Sequence, residues 1–238
     1  MKIFSIGICC ALYLGTHAQT VTSKSYPTQA GQQINLKFDY PKVKVSTWDK
    51  NEISVIARVN INDDENDNAF SLDEQTVDGA IVISDHITDM EKLPRRYTIV
   101  RGGQKTVYKS KEQFHEAEKS GGVERSSEGT DIDIVVEIKI PANCVTKINA
   151  VYGIVELADF KAPVAIDAIY GGIDATLAAA QTGKIKATTC YGQIYSNLDL
   201  HITDHTERDF FNSITAQPGN GPAYSFTSTY GKIYIRKP

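Results

Sequence analysis

Two histidines four residues apart, in His201-Ile-Thr-Asp-His205 with Glu207 and Asp209 close behind, are the residues of this chain best typed for a metal ion. Imidazole and carboxylate groups are ordinary ligands for zinc. Side chains at i and i+4 converge only on a helix, however, and nothing around these histidines has helical periodicity. Solvated loop histidines are the simpler reading. The run Asn62-Asp-Asp-Glu-Asn-Asp-Asn68 looks like a calcium loop. Glu65 stands where such loops carry Asp or Asn, and Asn68 where they need glycine for the sharp turn. Gly102-Gly-Gln-Lys-Thr106 places Lys-Thr after glycines, without the spacing or the preceding apolar strand of a phosphate loop. Glu156 and Asp174 are carboxylates of the kind that cleave glycosidic bonds in pairs, but such pairs need a cleft and a set separation. The nearby lysines Lys147, Lys161, Lys184 and Lys186 fall in different registers of the chain. There is no Gly-x-Ser-x-Gly elbow and no cysteine and histidine pair in a catalytic context. The sequence therefore predicts a non-enzyme with no catalytic residues, no metal and no cofactor.

The strongest pattern is a repeat. Ile148-Asn-Ala-Val-Tyr152-Gly153, Ile166-Asp-Ala-Ile-Tyr170-Gly171, Ala187-Thr-Thr-Cys-Tyr191-Gly192 and Phe226-Thr-Ser-Thr-Tyr230-Gly231 align, each followed by an aliphatic residue: Val155, Ile173, Ile194 or Ile233. The tyrosines are spaced 18, 21 and 39 residues apart. A period near 20 is too short for a strand-helix-strand unit, which takes about 30 residues. It suits one coil of a parallel β-solenoid, where each coil buries its apolar face on the next. The doubled last spacing predicts one coil without the Tyr-Gly signature between Leu198 and Ala223. Stacked coils would set the tyrosines in a ladder at the strand spacing of about 4.8 Å. Each glycine would bend the chain at a corner with positive φ. Period-2 alternation puts each Tyr on the face of the residues two and four before it, among them Ile148, Ile166 and Phe226. The rings are thus expected inside, as a structural ladder. A glycine corner can reverse the alternation, and the alternative is an outward platform for stacking sugars.

The rest of the chain reads as strands that carry this repeat. Ile34, Leu36 and Phe38 alternate with polar partners, as do Ile53, Val55, Ala57, Val59 and Ile61, and as do Ile132, Ile134, Val136, Ile138 and Ile140 up to Pro141. Strands also fit 80–84 and 97–100. Residues 19–33 read as a loose N-terminal arm. Residues 102–130, bounded by glycine pairs and serines, read as a long, mobile polar insertion with room for a short helix over Lys109–Lys119. The expectation is an all-β chain, a single β-solenoid domain over 34–238 with a polar insertion near 102–130.

At the other end, Met1-Lys2 precedes an apolar run from Ile3 to Leu14 and small residues ending at Ala18. That is the layout of a secretory signal peptide over 1–18, cleaved before Gln19. The run is shorter than the roughly 20 residues of a membrane span. Cys9 and Cys10 lack a lipobox. The chain is expected in the periplasm or at the cell surface, with no membrane span. Its formal charge is −4, and −5 once Lys2 is lost, which argues against a nucleic-acid partner. Cys144 and Cys190 remain, and two buried thiols are a simpler reading than a bridge.

Three segments together resemble a known family. Val43-Lys-Val-Ser-Thr-Trp48-Asp-Lys-Asn-Glu-Ile-Ser-Val55, Val136-Glu-Ile-Lys-Ile-Pro141 leading into the first Tyr-Gly coil, and Gly219-Asn-Gly-Pro-Ala-Tyr-Ser-Phe-Thr-Ser-Thr-Tyr-Gly-Lys-Ile-Tyr-Ile235 are similar to the putative-adhesin family of secreted bacterial β-solenoid proteins, many of them domains of unknown function. The resemblance covers most of 40–60 and 131–238 and implies a fold without catalytic residues. It implies an envelope protein that adheres or scaffolds, with a glycan or another envelope protein as partner. The alternative is a polysaccharide-active enzyme on a parallel β-helix. Fold analogy does not by itself assign function.

Overall fold

The computed structural model describes residues 20–238; the expected signal peptide lies outside them. Alternation of apolar and polar residues makes strands throughout. The first are β1 (Thr20–Pro27), β2 (Gln33–Phe38), β3 (Lys42–Trp48), β4 (Glu52–Ile61), β5 (Phe70–Val77) and β6 (Ala80–Ile87). A polar segment follows with β7 (Arg96–Arg101), β8 (Gln104–Tyr108), α1 (Lys111–Lys119) and β9 (Arg125–Gly129). Next come β10 (Ile132–Pro141), β11 (Val145–Ala150), β12 (Val155–Leu157), β13 (Val164–Ala168), β14 (Ile173–Thr176), β15 (Ile185–Thr189) and β16 (Ile194–Ser196). The chain closes with β17 (Ile202–Arg208), β18 (Phe211–Ala216), β19 (Tyr224–Ser228) and β20 (Ile233–Arg236).

The molecule is all-β, with one short α-helix among the described residues. An eight-stranded sheet runs β1-β4-β10-β3-β12-β14-β20-β16, and a nine-stranded sheet runs β17-β18-β15-β19-β13-β11-β2-β6-β5. Their apolar faces meet in one core cluster. In β4 every second residue, Ile53 through Ile61, is fully or almost fully buried, as period-2 spacing requires.

Within both sheets the strands around the Tyr-Gly segments are parallel. One row of side chains crosses the nine-stranded sheet from Leu36 through Ile148, Ile166 and Phe226 to Ala187. Its counterpart in the other sheet runs from Val43 through Val155, Ile173 and Ile233 to Ile194. A chain turn leaves the first sheet after β2, β11, β13, β19 or β15 and enters the second at β3, β12, β14, β20 or β16. The turns do not lie in chain order. The last one, β19–β20, is inserted between β13–β14 and β15–β16. Tyr170 therefore has Tyr230 as its neighbour rather than Tyr191.

Three further expectations are corrected. Residues 198–223 do not form a coil. They form the β17–β18 hairpin, which pairs antiparallel with β15 and extends the nine-stranded sheet only. Its outer strand is exposed, charged and bulged between Ile202 and Asp204, features that keep an open edge from pairing further. The arm expected at 19–33 is instead β1 over residues 20–27, paired residue for residue with β4. The polar insertion is regular: β8, β7 and β9 form a three-stranded sheet. α1 covers part of it, with Ser110 accepting from the Gln113 N–H at its N-terminus and Phe114 buried against Tyr97, ring centroids 5.4 Å apart. Of its strands the sequence shows only β7, near 97–100, where Ile99 is buried; β8 and β9 are short, polar and largely exposed, so no alternation marks them.

Candidate ligand-binding edge

At each Tyr-Gly corner the strand ends two residues before the tyrosine. In the first, Ile148 and Ala150 point in, Val151 is half exposed, Tyr152 is exposed and Gly153 is buried. Two consecutive residues thus face outward, and the alternation that predicts inward rings is reversed. Backbone pairing continues through the corner, with the N–H of Tyr152 donating to the Asp39 carbonyl at 2.8 Å and that of Tyr170 to Val151 at 2.8 Å. Tyr152, Tyr170, Tyr191 and Tyr230 are each about half exposed, so the expectation of a buried ladder is overturned.

The glycines explain the corner. A Cβ on Gly153 would lie 1.7 Å from the Pro41 carbonyl oxygen. On Gly171 it would lie 1.9 Å from that of Gly153, on Gly231 2.0 Å from that of Gly171, and on Gly192 1.9 Å from that of Gly231. None of these four has positive φ. They are glycine because stacked backbones touch at the inner side of the corner, not because the turn is left-handed. The residue two before each Tyr is buried too. Where it carries a hydroxyl, the hydroxyl fastens the corner: Ser228 donates to the Gly171 carbonyl at 3.1 Å and accepts from the Gly231 N–H at 2.9 Å, and Thr189 repeats this with Gly231 and Gly192.

With the glycines inside, the rings stack outside. The order is Tyr40, Tyr152, Tyr170, Tyr230, Tyr191, with centroids 5.0–5.3 Å apart and planes within 17° of parallel. Phe210, at the tip of the β17–β18 hairpin, closes the row against Tyr191 at 5.3 Å. Tyr40 belongs to the ladder although Pro41 stands where the other corners have glycine; it is flanked by Asp39 and Pro41 and carried no repeat signature. Beside the ladder a second register row crosses the outer face of the eight-stranded sheet: Glu156, Asp174, Tyr234 and Tyr195. Tyr234 and Tyr195 stack at 5.2 Å. Between the rows is a shallow trough of about 500 Å³, with Gly171, Gly172 and Gly231 in its lining. It shares Tyr230 and Lys232 with a second hollow of about 600 Å³ that ends against Phe210 and Phe211.

The two carboxylates of the trough are paired with cations, while Lys232, which lines both hollows, has no carboxylate partner among the described residues and lies 5.8 Å from the centre of the Tyr195 ring. Lys42 lies 2.5 Å from Glu156, and Arg236 lies 2.7 Å from Asp174. The Asp174 hydrogen bond pushes the Arg236 guanidinium further up, and this group also lies 4.6 Å from the centre of the Tyr234 ring. Glu156 and Asp174 are brought together as register neighbours, but on the same wall and each neutralised by its own cation. A glycosidase pair flanks the scissile bond.

Of the other candidate residues, Lys147 and Lys186 share one register row, against the sequence expectation, and line a hollow with Lys184 that contains no carboxylate; the remainder stay apart. His201 stands just before β17 and His205 lies within it, so in this extended segment they are separated by roughly 13 Å of chain rather than one helical turn. His201 approaches Asp199 at 3.4 Å and His205 approaches Glu207 at 4.0 Å. Among the described residues no three His, Cys, Asp or Glu side chains converge on a metal-sized site. In the acidic loop, Asn62, Asp63 and Asp64 take positive φ. Asn62 is buried, donating to Pro94 and Asn66 and accepting from Asp131, and Glu65 pairs with Arg96 and Lys109. The Gly102-Gly103 N–H groups are occupied by the Glu124 carboxylate at 2.8 and 3.3 Å. Cys144 and Cys190 are both free thiols, the first buried. No helix among the described residues is long and apolar enough to cross a membrane.

No family model matches the chain, and no curated protein sequence does. Among solved structures the chain is similar to one described as a putative cell adhesion protein from Clostridium sporogenes, with 10% identity, a TM-score of 0.44, and coverage of 93% of this chain and 100% of that one. At that identity and score the likeness bears neither on function nor on the detailed course of the chain.

Proposed function

We propose that this chain is an exported, non-catalytic envelope protein, an adhesin or scaffold, whose stacked parallel turns make a short β-solenoid and whose tyrosine edge is the binding surface. The observation that carries this reading is the exposure of the ladder. Five tyrosines and one phenylalanine stand in line on one edge; the four in Tyr-Gly repeats and Phe210 are exposed, and only Tyr40, at the end of the row, packs partly against the core. Contiguous exposed aromatic surface on a soluble protein marks an interaction site. A stack of regular turns holds that surface rigid, so little conformational entropy is lost when an extended ligand binds. The leader-like pattern of residues 1–18 and the resemblance of the strand and corner motifs to secreted adhesin-type proteins support export and adhesion.

A polysaccharide-active enzyme is the second reading, favoured only by the pairing of Glu156 with Asp174 beside the ladder. Their common wall and separate cations speak against an acid and a base acting across one bond. The deciding experiment applies the exported protein to a glycan array and, in parallel, measures reducing ends released from each glycan bound. Binding without release is expected. Released oligosaccharide would overturn the non-catalytic reading, and an array with no binding at all would leave an envelope protein as the partner class.

A further inference from the structure

We propose that the trough beside the tyrosine ladder holds an extended, uncharged β-1,4-linked polysaccharide chain, lying along the stack with one sugar per turn of the protein. The inference rests on the reading of this edge as a binding surface and names its ligand. It begins with what the ladder offers. Rings stacked 5.0–5.3 Å apart and nearly parallel cover one another's faces. A sugar cannot lie flat on Tyr152, Tyr170 or Tyr230, because each has a ring on both sides. What reaches the trough is a line of ring edges and phenolic hydroxyls, each able to donate and accept one hydrogen bond, repeated at the spacing of the turns.

That spacing selects the ligand. A β-1,4-linked chain is a flat, two-fold ribbon whose rise per sugar matches the step from one tyrosine to the next, so each hydroxyl meets one sugar, and because successive sugars are flipped the same group recurs at every second turn. An extended peptide rises about 3.3 Å per residue and alternates its faces, so one turn falls between residues and two turns bring three residues and the opposite face to the next equivalent tyrosine. A stacked nucleic-acid strand repeats near 3.4 Å, and this acidic chain has no field to hold it. An α-1,4-linked glycan coils away from a straight row.

The lining sets the ligand's charge. Glu156 and Asp174 are neutralised by Lys42 and Arg236, and the opposite end of the same wall is Tyr234 and Tyr195, the latter bonded to Gln193. A neutral polymer meets hydroxyls, an amide and aromatic edges, while a polyanion meets only two separate cations without a carboxylate partner among the described residues, Lys232 in the trough and Arg208 in the hollow beyond. Four turns, carrying Tyr152, Tyr170, Tyr230 and Tyr191, line the trough and the hollow that continues it. Phe210 and Phe211 stand at the far end.

The test is isothermal titration of the full chain with cello-oligosaccharides of two to six sugars and with malto-oligosaccharides of the same lengths. Affinity is expected to rise with each β-linked sugar to about four and then level, with the α-linked series at least tenfold weaker. Tyr170→Phe keeps the stack and removes one hydroxyl. It is expected to weaken the four-sugar ligand about three- to tenfold with its melting temperature unchanged. Equal binding of both linkages, or a Tyr170→Phe affinity equal to wild type, would overturn the registered-ribbon proposal while the edge remained a glycan site. Failure of both series to bind the wild-type protein would overturn the proposal, and failure on the full array as well would remove the glycan reading beneath it.

Discussion

A Cβ added to Gly171 would sit 1.9 Å from the carbonyl oxygen of Gly153, one turn below it in the stack. The obstacle is backbone on both sides, so no side chain can swing away. Gly171→Ala must force the β13–β14 turn off the β11–β12 turn, breaking the Tyr170 to Val151 hydrogen bond beside it. A loss of about 3 kcal/mol or more is expected, at or above the upper end for overpacking a core. Gly129→Ala, where a Cβ meets nothing within 4 Å and φ is not positive, should stay within about 0.5 kcal/mol of wild type. Urea melts of the two variants make the comparison, and equal midpoints would show that the corner glycines do not hold the turns together.

Tyr170→Ala separates a ladder that packs from one that binds. The ring is 55% exposed, so the roughly 3–5 kcal/mol of a buried aromatic truncation does not apply. The ring stacks on Tyr152 and Tyr230 at 5.2 Å each, and each such contact is worth about 0.5–1.5 kcal/mol. The variant should therefore lose about 1–3 kcal/mol and still fold, with ligand binding lost well beyond what that change in stability explains. A loss above about 3 kcal/mol in a chemical melt would mean that the ladder is chiefly structural.

How much of this was legible in the residues can be judged at the corners. Tyr-Gly recurrence locates the turns, and the aligned Ile148, Ile166, Ala187 and Phe226 do share one buried row. Sequence order, however, carries no information about spatial order. The β19–β20 turn slips between two earlier ones because the β17–β18 hairpin returns the chain past β15. Nor does periodicity say which way Tyr152 points, because one extra outward residue, Val151, reverses the face, and only the contact between Gly153 and Pro41 shows why. Tyr40 lies outside the Tyr-Gly pattern because Pro41 follows it, and the first turn has no turn below it to demand glycine. The row of Glu156, Asp174, Tyr234 and Tyr195 shares no residue type, so only strand register reveals it.

Export is tested at the N-terminus. Protein recovered outside the cytoplasm of the native host should begin at Gln19, one residue before β1 starts at Thr20. Cleavage there leaves the strand free to pair with β4 over its full length. N-terminal sequencing that returned Met1 would rule out a cleaved leader.

Asp85 ties the first rung of the ladder to pH. Its carboxylate accepts from the Asp39 N–H at 2.8 Å and so holds the backbone just before Tyr40. Burial pushes its pKa from the ordinary 3.8 up to about 6, with the Asp39 charge adding to the rise and backbone hydrogen bonds opposing it. A pKa raised on folding means that the folded state holds the proton more tightly than the unfolded chain. The stability this group contributes is therefore fully present below pH 3.8 and lost as pH rises through 6. A shift of about two units corresponds to roughly 3 kcal/mol, as an upper bound for a partly solvated carboxyl. Asp85→Asn keeps an oxygen to accept from Asp39 and removes the charge. It should be more stable than wild type at pH 7 by a substantial part of that amount, and the gap should close as pH falls from 7 to 4. Stability curves of the two proteins across that range that run parallel would show that Asp85 is not the titrating group.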